Sequence, residues 1–328
     1  MGKQPFSLPG LTDDLQRVER ALAAAVKTGD EYMTSVAGHL LSAGGKRFRP
    51  ALAIAAASAL VGSASDDVIM GGCSAELVHL GSLYHDDVMD EAATRRGTPS
   101  ANLRFGNIVA ILAGDFLLAR ASEIAAELGT EIAGLLARTI GQLCEGQVFE
   151  LQHVWNIDRT VDQYFRSIHG KTASLMATSS RIGGLVVLNT GQAERAHVDA
   201  LTEYGERIGM VFQIVDDVLD LVATDEQLGK PAGNDLVEGI YTLPVIHGLK
   251  DPRHGEELRS KLGGPIDRAE VDRVRKIVRS TTGIDHALTV AREYANQADV
   301  ALLKLPQNDV TGALRGSGFR IIDAIPAV

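Results

Sequence analysis

An acidic pattern, Asp-Asp-x-x-Asp, occurs twice in the chain and constrains its fold more than any other feature. The carboxylates are those of Asp86, Asp87 and Asp90 in the first copy and of Asp216, Asp217 and Asp220 in the second. Residues four apart lie one above the other on an α-helix, so each copy places two carboxylates on one helix face. Apolar residues surround both copies, which favours helices that are largely buried.

Each copy also concentrates negative charge that the nearby sequence does not neutralise. No Lys or Arg occurs between Pro50 and Thr94, or between Ile208 and Gly229. Like charges four residues apart destabilise a helix by roughly 0.2–0.5 kcal/mol per pair, which indicates that a cation offsets the repulsion. Two such faces turned toward each other would form an oxygen-rich cage, in which Mg²⁺ is held by a few carboxylates and completed by substrate phosphates. The alternative is that each copy is a solvated acidic turn.

The rest of the sequence predicts an all-α protein. Ala and Leu are abundant among the 328 residues, and no alternating Val, Ile and Thr segments are bounded by hairpin turns. Candidate helices cover residues 11–27, 30–43, 50–62, 66–90, 107–128, 130–153, 160–170, 172–188, 193–222, 235–249, 254–262, 267–281 and 284–304. No Ser-rich or Pro-rich linker divides the chain. Residues 1–328 are therefore predicted to form one domain, a bundle of about ten or more helices around a central cavity.

Composition limits the classes of partner and the compartment. The hydrophobic fraction of 45% and the charged fraction of 23% are values of globular proteins, and the net charge of −10 argues against nucleic-acid binding. Cys73 and Cys144 form no CxxC motif and are predicted to be packed, reduced thiols of a cytoplasmic protein. No apolar run approaches about 18 residues and the N-terminus shows no apolar targeting segment, so no membrane span is expected.

Basic residues occur where a diphosphate bound to Mg²⁺ would need them. Lys46, Arg47 and Arg49 follow a Gly pair whose backbone N–H groups can face an anion. Arg95 and Arg96 follow the first acidic copy by about one helical turn, and arginine binds phosphate oxygens bidentately, so this pair can hold a second diphosphate. The alternatives are an ordinary basic loop for the first group and neutralisation of the neighbouring acids for the second.

Five segments, in this order, resemble the motifs of the trans-isoprenyl diphosphate synthases, and of the long-chain polyprenyl diphosphate synthases among them. They are GGKRFRP (44–50), ELVHLGSLYHDDVMDEAATRRG (76–97), GKT (170–172), FQIVDDVLD (212–220) and LGKPAGNDLVEGIYTLP (228–244). The resemblance covers residues 41–249. It implies an all-α, isoprenoid synthase-like bundle, usually a homodimer, that joins isopentenyl diphosphate head-to-tail to an allylic diphosphate and so makes an all-trans polyprenyl diphosphate.

The resemblance also implies roles for the residues of these motifs. Mg²⁺ ions, several per active site and bridging to diphosphate, would be bound by Asp86, Asp90, Asp216 and Asp220, with Asp87 and Asp217 assisting. Isopentenyl diphosphate would be held by Lys46, Arg49, His79 and Arg96. The diphosphate of the allylic substrate would be contacted by Arg95, Lys171, Thr172, Gln213 and Lys230. Lys171 would be catalytic together with the six aspartates. One departure is Ile240, where the family often has Lys, so one diphosphate contact is missing.

The chemistry of the reaction agrees with these roles. Loss of diphosphate from an allylic carbon leaves a resonance-stabilised cation, and Mg²⁺ with Lys or Arg stabilises the departing negative charge. The double bond of isopentenyl diphosphate then attacks the cation. No motif supplies a base for the proton that must leave, so the released diphosphate is expected to accept it. Water would capture the cation, and the apolar residues around the acidic copies are expected to exclude it.

Small residues in the helix before Asp86 indicate a long product. Gly81 and Ser82 occupy places where bulky residues stop elongation early in the family. The stretch from Gly71 to Asp86 would give the product pocket a wall of roughly 22 Å at about 1.5 Å per residue, although Val78 can still close it. The expected product is C30 or longer, the side chain of a respiratory quinone, and a farnesyl or geranylgeranyl diphosphate is the alternative. Close helix packing is the other explanation for the small residues.

Three other functions fit parts of the sequence. A class I terpene cyclase shares the first acidic copy, but the complete second copy argues against it. A carboxylate-bridged di-iron bundle would use Glu76-x-x-His79 and Glu194-x-x-His197, a spacing found in such sites. A non-catalytic partner subunit would keep the fold, although such subunits typically lose their acidic clusters. The two complete acidic copies favour a prenyl-transferring enzyme over all three.

Overall fold

The structure, a computed structural model, describes residues 6–228 and 231–326 and is almost entirely α-helical. Its first helices are α1 (Leu11–Ala25), α2 (Glu31–Ala37), α3 (His39–Ser42), α4 (Phe48–Val61), α5 (Asp66–Met89), α6 (Ala101–Phe105), α7 (Asn107–Glu127) and α8 (Thr130–Leu151). Those that follow are α9 (Val161–Ile168), α10 (Ser174–Asn189), α11 (Arg195–Val222), α12 (Asp225–Leu228), α13 (Asn234–Glu238), α14 (Leu243–Gly248), α15 (Gly255–Lys261), α16 (Arg268–Ser280), α17 (Gly283–Leu302), α18 (Asp309–Leu314) and α19 (Ser317–Ile322). Strands β1 (Thr94–Arg95) and β2 (Thr98–Pro99) form a short antiparallel pair, and a π-helical turn covers His169–Ala173. The prediction of an all-α fold is confirmed.

Each predicted segment contains a helix, but two segments, 30–43 and 235–249, are divided into two helices each, and α6, α12, α18 and α19 were not predicted. The helix predicted at 235–249 is divided into α13 and α14 because Gly239, with φ of 74°, ends α13 in the left-handed conformation. The hairpin of β1 and β2 was not predicted. It turns through Arg96 and Gly97, with φ angles of 54° and 76°. Two successive positive φ angles are the geometry of a type I′ turn, which suits a two-residue hairpin.

The Cα positions cluster into two compact units that alternate along the chain. The first comprises Met1–Ile140, Leu175–Gly205 and Ala301–Leu314, and the second comprises Gly141–Ser174, Glu206–Val300 and Arg315–Val328. The expectation of a single domain remains a prediction.

In the first unit, α5 packs against α1, α4 and α7. Ser65 caps its N-terminus, since the Ser65 hydroxyl accepts a hydrogen bond from the Val68 N–H at 3.3 Å. Glycines allow close approach of the neighbouring helices: a Cβ on Gly72 would lie 3.0 Å from the Cα of Pro50 on α4. Tight packing therefore fixes the helix that carries the first acidic copy.

In the second unit, the core is built from apolar side chains of α11, α14, α16 and α17. Tyr164 on α9 and Tyr241 before α14 are fully buried in it. A capping box, in which Thr160 and Gln163 bond reciprocally to each other's backbone N–H groups, starts α9. The core thus supports the half of α11 that carries the second acidic copy.

Two predictions about surface and compartment can be compared with the structure. Among the helices of the described ranges, none combines the length and the apolar character needed to cross a bilayer. Cys73 is buried as predicted, but Cys144 is exposed on α8, so the prediction that it is a packed thiol was wrong. The reason is that Cys144 lies on the same face of α8 as the exposed residues Gly141 and Val148.

Candidate active site

The first acidic motif, defined as Asp86, Asp87 and Asp90, lies at the C-terminal end of α5. Asp86 is half-buried, Asp87 is fully buried, and Asp90 is exposed at the C-cap position. Negative charge at the C-terminal end of a helix opposes the helix dipole by about 0.3–1 kcal/mol per exposed charge. The predicted arrangement of carboxylates on one helix end is therefore present, and it favours the binding of a cation.

Asp87 differs from its two neighbours because its carboxylate is engaged inside the protein. Its Oδ1 accepts a hydrogen bond from Arg95 Nε at 2.7 Å, and its Oδ2 accepts one from the backbone N–H of Ala101 at 2.8 Å. These bonds fasten β1 and the start of α6 to α5. Asp87 thus positions the hairpin that carries Arg95 and Arg96.

The two arginines of the hairpin have different partners. Arg95 binds Asp87, and its Nη2 lies 3.8 Å from Asp90 Oδ2. Arg96, which has a left-handed φ of 54°, donates a hydrogen bond to the carbonyl oxygen of Gly44. Arg95 therefore belongs with the first acidic motif, and Arg96 belongs with the glycine loop before α4.

Arg49, His79 and Arg96 form what we call the basic cluster. Burial and the charges of Arg49 and Arg96 lower the pKa of His79 well below its ordinary value. Burial also lowers the pKa of Arg49 to about 10, although the carboxylate of Glu76 opposes this shift. Within the described ranges, Arg49 Nε is buried without a hydrogen-bond partner. Crowded positive charge with an unpaired donor indicates an anion site.

The other bases of the glycine loop differ in their surroundings. Arg47 is buried, and its guanidinium binds the carboxylates of Glu19 at 2.6 Å and Glu76 at 3.1 Å. Lys46 is exposed. Arg47 therefore serves the fold, which leaves Lys46 and Arg49 as the candidates of this loop for substrate binding.

The residues predicted to control product length lie on α5 in different surroundings. Val78 is fully buried, whereas Ser82 is half-buried and its hydroxyl donates to the His79 carbonyl oxygen at 2.9 Å. A Cβ on Gly81 would lie 3.0 Å from the carbonyl oxygen of Gly114 on α7. Close helix packing accounts for Gly81, and the role of these residues in chain length stays a prediction.

The second acidic motif, defined as Asp216, Asp217 and Asp220, lies near the C-terminal end of α11. Asp216 is exposed, whereas Asp217 and Asp220 are 4% and 3% exposed. Asp217 Oδ1 accepts a hydrogen bond from Gln213 Nε2 at 2.8 Å, and its Oδ2 accepts one from the Tyr164 hydroxyl at 2.6 Å. Burial raises the pKa of Asp217 to about 7, although the two hydrogen bonds lower it. A cation near this carboxylate would favour its charged form.

Asp220 is engaged with the start of α13. Its Oδ1 and Oδ2 accept hydrogen bonds from the backbone N–H groups of Asn234 at 3.3 Å and Asp235 at 3.2 Å. These bonds tie the segment after α12 to the second acidic motif. Lys230, which was predicted to contact the allylic diphosphate, precedes α13 in sequence but lies outside the described residues.

Lys171 and Thr172 lie on the π-helical turn, a structure frequent at functional sites. Lys171 Nζ donates to Glu150 Oε1 at 2.7 Å, and the Thr172 hydroxyl donates to Gln213 Oε1 at 2.7 Å. Because Gln213 also binds Asp217, a hydrogen-bond chain joins the π-helical turn to the second acidic motif. The structure thus brings together residues that the sequence singled out in separate motifs.

A cavity of about 80 Å³ lies beside Asp217 in the second unit. Among the described residues, the charged side chains that line it are those of four acids, Glu150, Asp217, Asp235 and Glu238, and of two bases, Arg159 and Lys171. Ile240, at the place where the family often has Lys, lines the same cavity with an apolar side chain. Arg159, Tyr164 and Glu150, which also line the cavity, were not predicted from the sequence. No motif-like spacing marks them, and only tertiary packing brings them to Asp217.

The geometry does not support a carboxylate-bridged di-iron site. Glu76 is paired with Arg47, and Glu194 is exposed beside the first turn of α11, with its N–H bonded to the ring of His197. Across residues 6–228 and 231–326, no group of three His, Cys, Asp or Glu side chains is arranged to hold a metal ion. Magnesium, by contrast, is usually bound through one or two carboxylates and completed by water and substrate phosphates.

Comparisons with known proteins agree with this geometry. The sequence profile of the polyprenyl synthetase family matches residues 30–281. A nonaprenyl diphosphate synthase of Mycobacterium tuberculosis is 40% identical over 300 residues, which cover 90% of this chain and 87% of that protein. A crystal structure of a polyprenyl synthase from Caulobacter crescentus, complexed with calcium and isoprenyl diphosphate, is 32% identical with a TM-score of 0.90, covering 98% of this chain and 99% of its own.

A second solved structure has a different stated product. The geranylgeranyl pyrophosphate synthase from Corynebacterium glutamicum, complexed with calcium and isoprenyl diphosphate, is 36% identical with a TM-score of 0.84, covering 98% of this chain and 99% of its own. Family profile, relatives and site geometry agree along most of the chain. The chain therefore belongs to the polyprenyl synthetase family and is a prenyl-transferring enzyme.

Proposed function

We propose that this protein is a Mg²⁺-dependent prenyltransferase that adds isopentenyl diphosphate to an allylic diphosphate and makes an all-trans polyprenyl diphosphate of C30 or longer. The observation that carries the proposal is the basic cluster of Arg49, His79 and Arg96, which lies in the same unit as the first acidic motif. A metal-free anion site and a metal-binding motif provide two different ways to hold a diphosphate. A reaction between two diphosphate substrates needs both.

The carboxylates of both acidic motifs suit Mg²⁺, which prefers hard oxygen ligands. Asp86 and Asp90 would bind the ion in the first motif, because the charge of the fully buried Asp87 carboxylate is already paired with Arg95. Asp216 and Asp220 would do so in the second motif. Bound Mg²⁺ would supply the charge that stabilises the departing diphosphate. The calcium in the Caulobacter relative supports a divalent metal in the family.

The two diphosphate substrates would bind to different sets of residues. Isopentenyl diphosphate would bind the basic cluster and Lys46, and its negative charge would restore the charge balance around Arg49. The allylic diphosphate would be contacted by Arg95, Lys171, Thr172, Gln213 and Lys230. Lys171 and Thr172 have protein partners in the structure, Glu150 and Gln213, so each would exchange or share that partner on binding.

The remaining chemistry needs few protein groups. The carbocation left by the allylic diphosphate is attacked by the double bond of isopentenyl diphosphate, and a proton then leaves the adduct. Buried apolar side chains next to the acidic motifs, such as Leu80 and Val218, exclude water that would capture the cation. The released diphosphate would accept the proton.

Product length rests on two observations. The Mycobacterium relative, named for a nonaprenyl product, is 40% identical, and Gly81 and Ser82 are small. A C20 product is the second candidate, because the Corynebacterium geranylgeranyl pyrophosphate synthase is 36% identical. The long-chain product is favoured, and we assign it to the side chain of a respiratory quinone.

We propose that the active protein is a cytoplasmic homodimer, in which the partner subunit covers an apolar face of the first unit. Ile108, Ile111 and Leu112, at helical spacing on one side of α7, are 76%, 43% and 58% exposed, and Leu103 on α6 is 64% exposed. Monomers rarely expose contiguous apolar patches of this kind without a partner. The unpaired state of Cys73 and Cys144 suits a reducing compartment.

An incorporation assay tests the proposal. The purified protein is incubated with radiolabelled isopentenyl diphosphate, with or without geranylgeranyl diphosphate and with or without MgCl₂, and acid-labile or butanol-extractable label is counted. Incorporation should require the allylic primer and the metal. Conversion of the allylic diphosphate alone into a hydrocarbon would instead establish a terpene cyclase, and incorporation without metal would remove the acidic motifs from the mechanism.

A further inference from the structure

Arg159 lies before α9 and is 3% exposed. Its Nη1 donates to the Tyr241 carbonyl oxygen at 3.1 Å, and its Nη2 donates to the Ser167 hydroxyl at 2.7 Å. In the part of the chain that the structure describes, Arg159 Nε is buried without a hydrogen-bond partner. Placing a guanidinium in this position is costly, since a buried charge is normally paired. A function for that charge would account for this costly placement.

The charge of Arg159 is directed at carboxylates that it does not contact. Glu150, Asp217 and Asp235 line the same cavity, and their attraction partly offsets the lowering of the pKa of Arg159 by burial. Among the described residues, none of these acids reaches ion-pair distance of the guanidinium. Lys171, the other base of the cavity, is 37% exposed and already paired with Glu150. Arg159 is thus the fully buried positive charge facing this group of acids.

A chain of contacts connects Arg159 to the second acidic motif. The guanidinium carbon lies 5.8 Å from the ring centroid of Tyr164, within the range of a cation–π contact. The Tyr164 hydroxyl donates to Asp217 at 2.6 Å, and Asp217 lies between Asp216 and Asp220 in the motif. The position of Arg159 therefore influences the orientation of the Asp217 carboxylate.

We infer that Arg159 is a positioning residue of the second acidic motif, whose fixed positive charge orients Tyr164 and holds the carboxylates of Asp217 and Glu150 in the arrangement that binds a metal–diphosphate complex. The inference rests on the proposed function. Without Arg159, Lys171 is the one base left among the described residues that line the cavity. Its ion pair with Glu150 would then face no competing positive charge, which would hold Lys171 away from substrate.

Ile240 provides a way to test whether charge or shape is required. Its side chain lines the same cavity as Arg159 but carries no charge. A lysine introduced at Ile240 would place an ammonium group at the lining of this cavity. If the cavity needs a positive charge, Ile240→Lys should compensate for the loss of Arg159.

The experiment uses isothermal titration calorimetry of inorganic diphosphate in MgCl₂, with the purified full-length protein. Variants are Arg159→Met, Arg159→Lys, Ile240→Lys, and Arg159→Met with Ile240→Lys. Ile240→Lys alone measures the affinity that a direct contact of the new ammonium group with diphosphate adds, and rescue is counted beyond that gain. Arg166→Met is the matched control, because Arg166 lies on the neighbouring helix α9 and is exposed. Removing a residue that orients a metal-site ligand typically weakens binding about 10- to 100-fold, so Arg159→Met should lose at least tenfold in affinity and Arg166→Met should lose little. Arg159→Lys should retain most of the affinity, and Ile240→Lys should restore at least half of the loss in log units.

Two results would overturn the inference. One is an affinity of Arg159→Met equal to that of the wild type. The other is a loss in Arg159→Lys as large as in Arg159→Met, together with no rescue by Ile240→Lys, since this would show that Arg159 serves packing alone. Arg159→Lys keeps the test valid if Arg159→Met fails to fold. A wild-type protein that binds Mg²⁺ and diphosphate but incorporates no isopentenyl diphosphate would reject the proposed function and leave this inference standing.

Discussion

Replacing Asp87 by Asn separates anchoring of the hairpin from metal binding. The fully buried carboxylate accepts hydrogen bonds from Arg95 Nε at 2.7 Å and from the Ala101 N–H at 2.8 Å. An amide keeps one acceptor oxygen and turns an NH₂ group toward the second donor, so one bond is lost. A hydrogen bond to a charged group contributes about 1.5–3 kcal/mol, and a buried donor left unpaired costs about 1–3 kcal/mol.

The side chain of Arg95 is 27% exposed, so solvent screens part of its pairing with Asp87. We therefore expect Asp87→Asn to lower the free energy of unfolding by about 2–3 kcal/mol, toward the lower end of the cost of breaking a buried pair. Asp86→Asn is the matched control on the preceding residue. It should keep stability or raise it by about 0.2–0.5 kcal/mol, because it relieves repulsion on the helix end. It should lower activity by about 100-fold or more through loss of a metal ligand.

Urea unfolding followed by circular dichroism, without added metal, measures the stability of both variants. Incorporation of labelled isopentenyl diphosphate measures their activity. A urea midpoint of unfolding for Asp87→Asn equal to that of the wild type, with activity lost as in Asp86→Asn, would contradict the prediction that Asp87 anchors the hairpin. Asp87 would then act as a metal ligand and not as the anchor of the hairpin.

Other substitutions test the basic cluster, the small residues of α5 and the apolar face of α7. The pKa of His79 lies well below 6.5 in the folded protein, so only the unfolded chain takes up a proton there as the pH falls below 6.5. The free energy of unfolding therefore decreases as the pH falls. His79→Gln should flatten this decrease, as measured by urea midpoints from about pH 7 to 5. Gly81→Phe should lower the melting temperature, because a Cβ alone would lie 3.0 Å from Gly114 O, whereas Ser82→Phe should fold normally and shorten the product seen by chromatography. Ile108→Asp should give a monomer in light scattering, since this 76% exposed side chain would place a charge in the proposed dimer interface.

Each of these predictions has a contradicting result. A pH dependence of His79→Gln equal to that of the wild type would mean that His79 does not titrate differently in the folded state. A shortened product from a fully stable Gly81→Phe protein would show that Gly81 lines the product pocket and does not serve packing. A wild-type protein that is already monomeric at micromolar concentration, or an Ile108→Asp dimer, would exclude the proposed interface.

The sequence was sufficient to predict what depends on local periodicity and on motif order. The helices that carry the acidic motifs follow from apolar spacing, and α5 ends beside Asp90 as expected. The hairpin was missed because its type I′ turn places the positive φ on Arg96, a residue not typical of that position. Local spacing cannot reveal such a turn when the usual Asn-Gly or Asp-Gly signal is absent.

Other features depend on contacts between distant segments. The sequence could not show that Arg47 pairs with Glu19 and Glu76, whereas Arg49, two residues on, forms no ion pair among the described residues. It also gave no sign that Tyr164 reaches Asp217, since 53 residues separate them. Whether an arginine such as Arg47 or Arg49 has a structural role or a predicted binding role thus depends on which side chains the tertiary structure places beside it.

Chromatography of the reaction products tests the central claim most directly. The wild-type protein is incubated with MgCl₂, labelled isopentenyl diphosphate and geranyl, farnesyl or geranylgeranyl diphosphate, and the dephosphorylated products are separated by reversed-phase chromatography against polyprenol standards. We expect elongation of at least one primer to a discrete product of C30 or longer. A product no longer than C20 from every primer would contradict the long-chain assignment, and no elongation of any primer would contradict the proposed reaction itself.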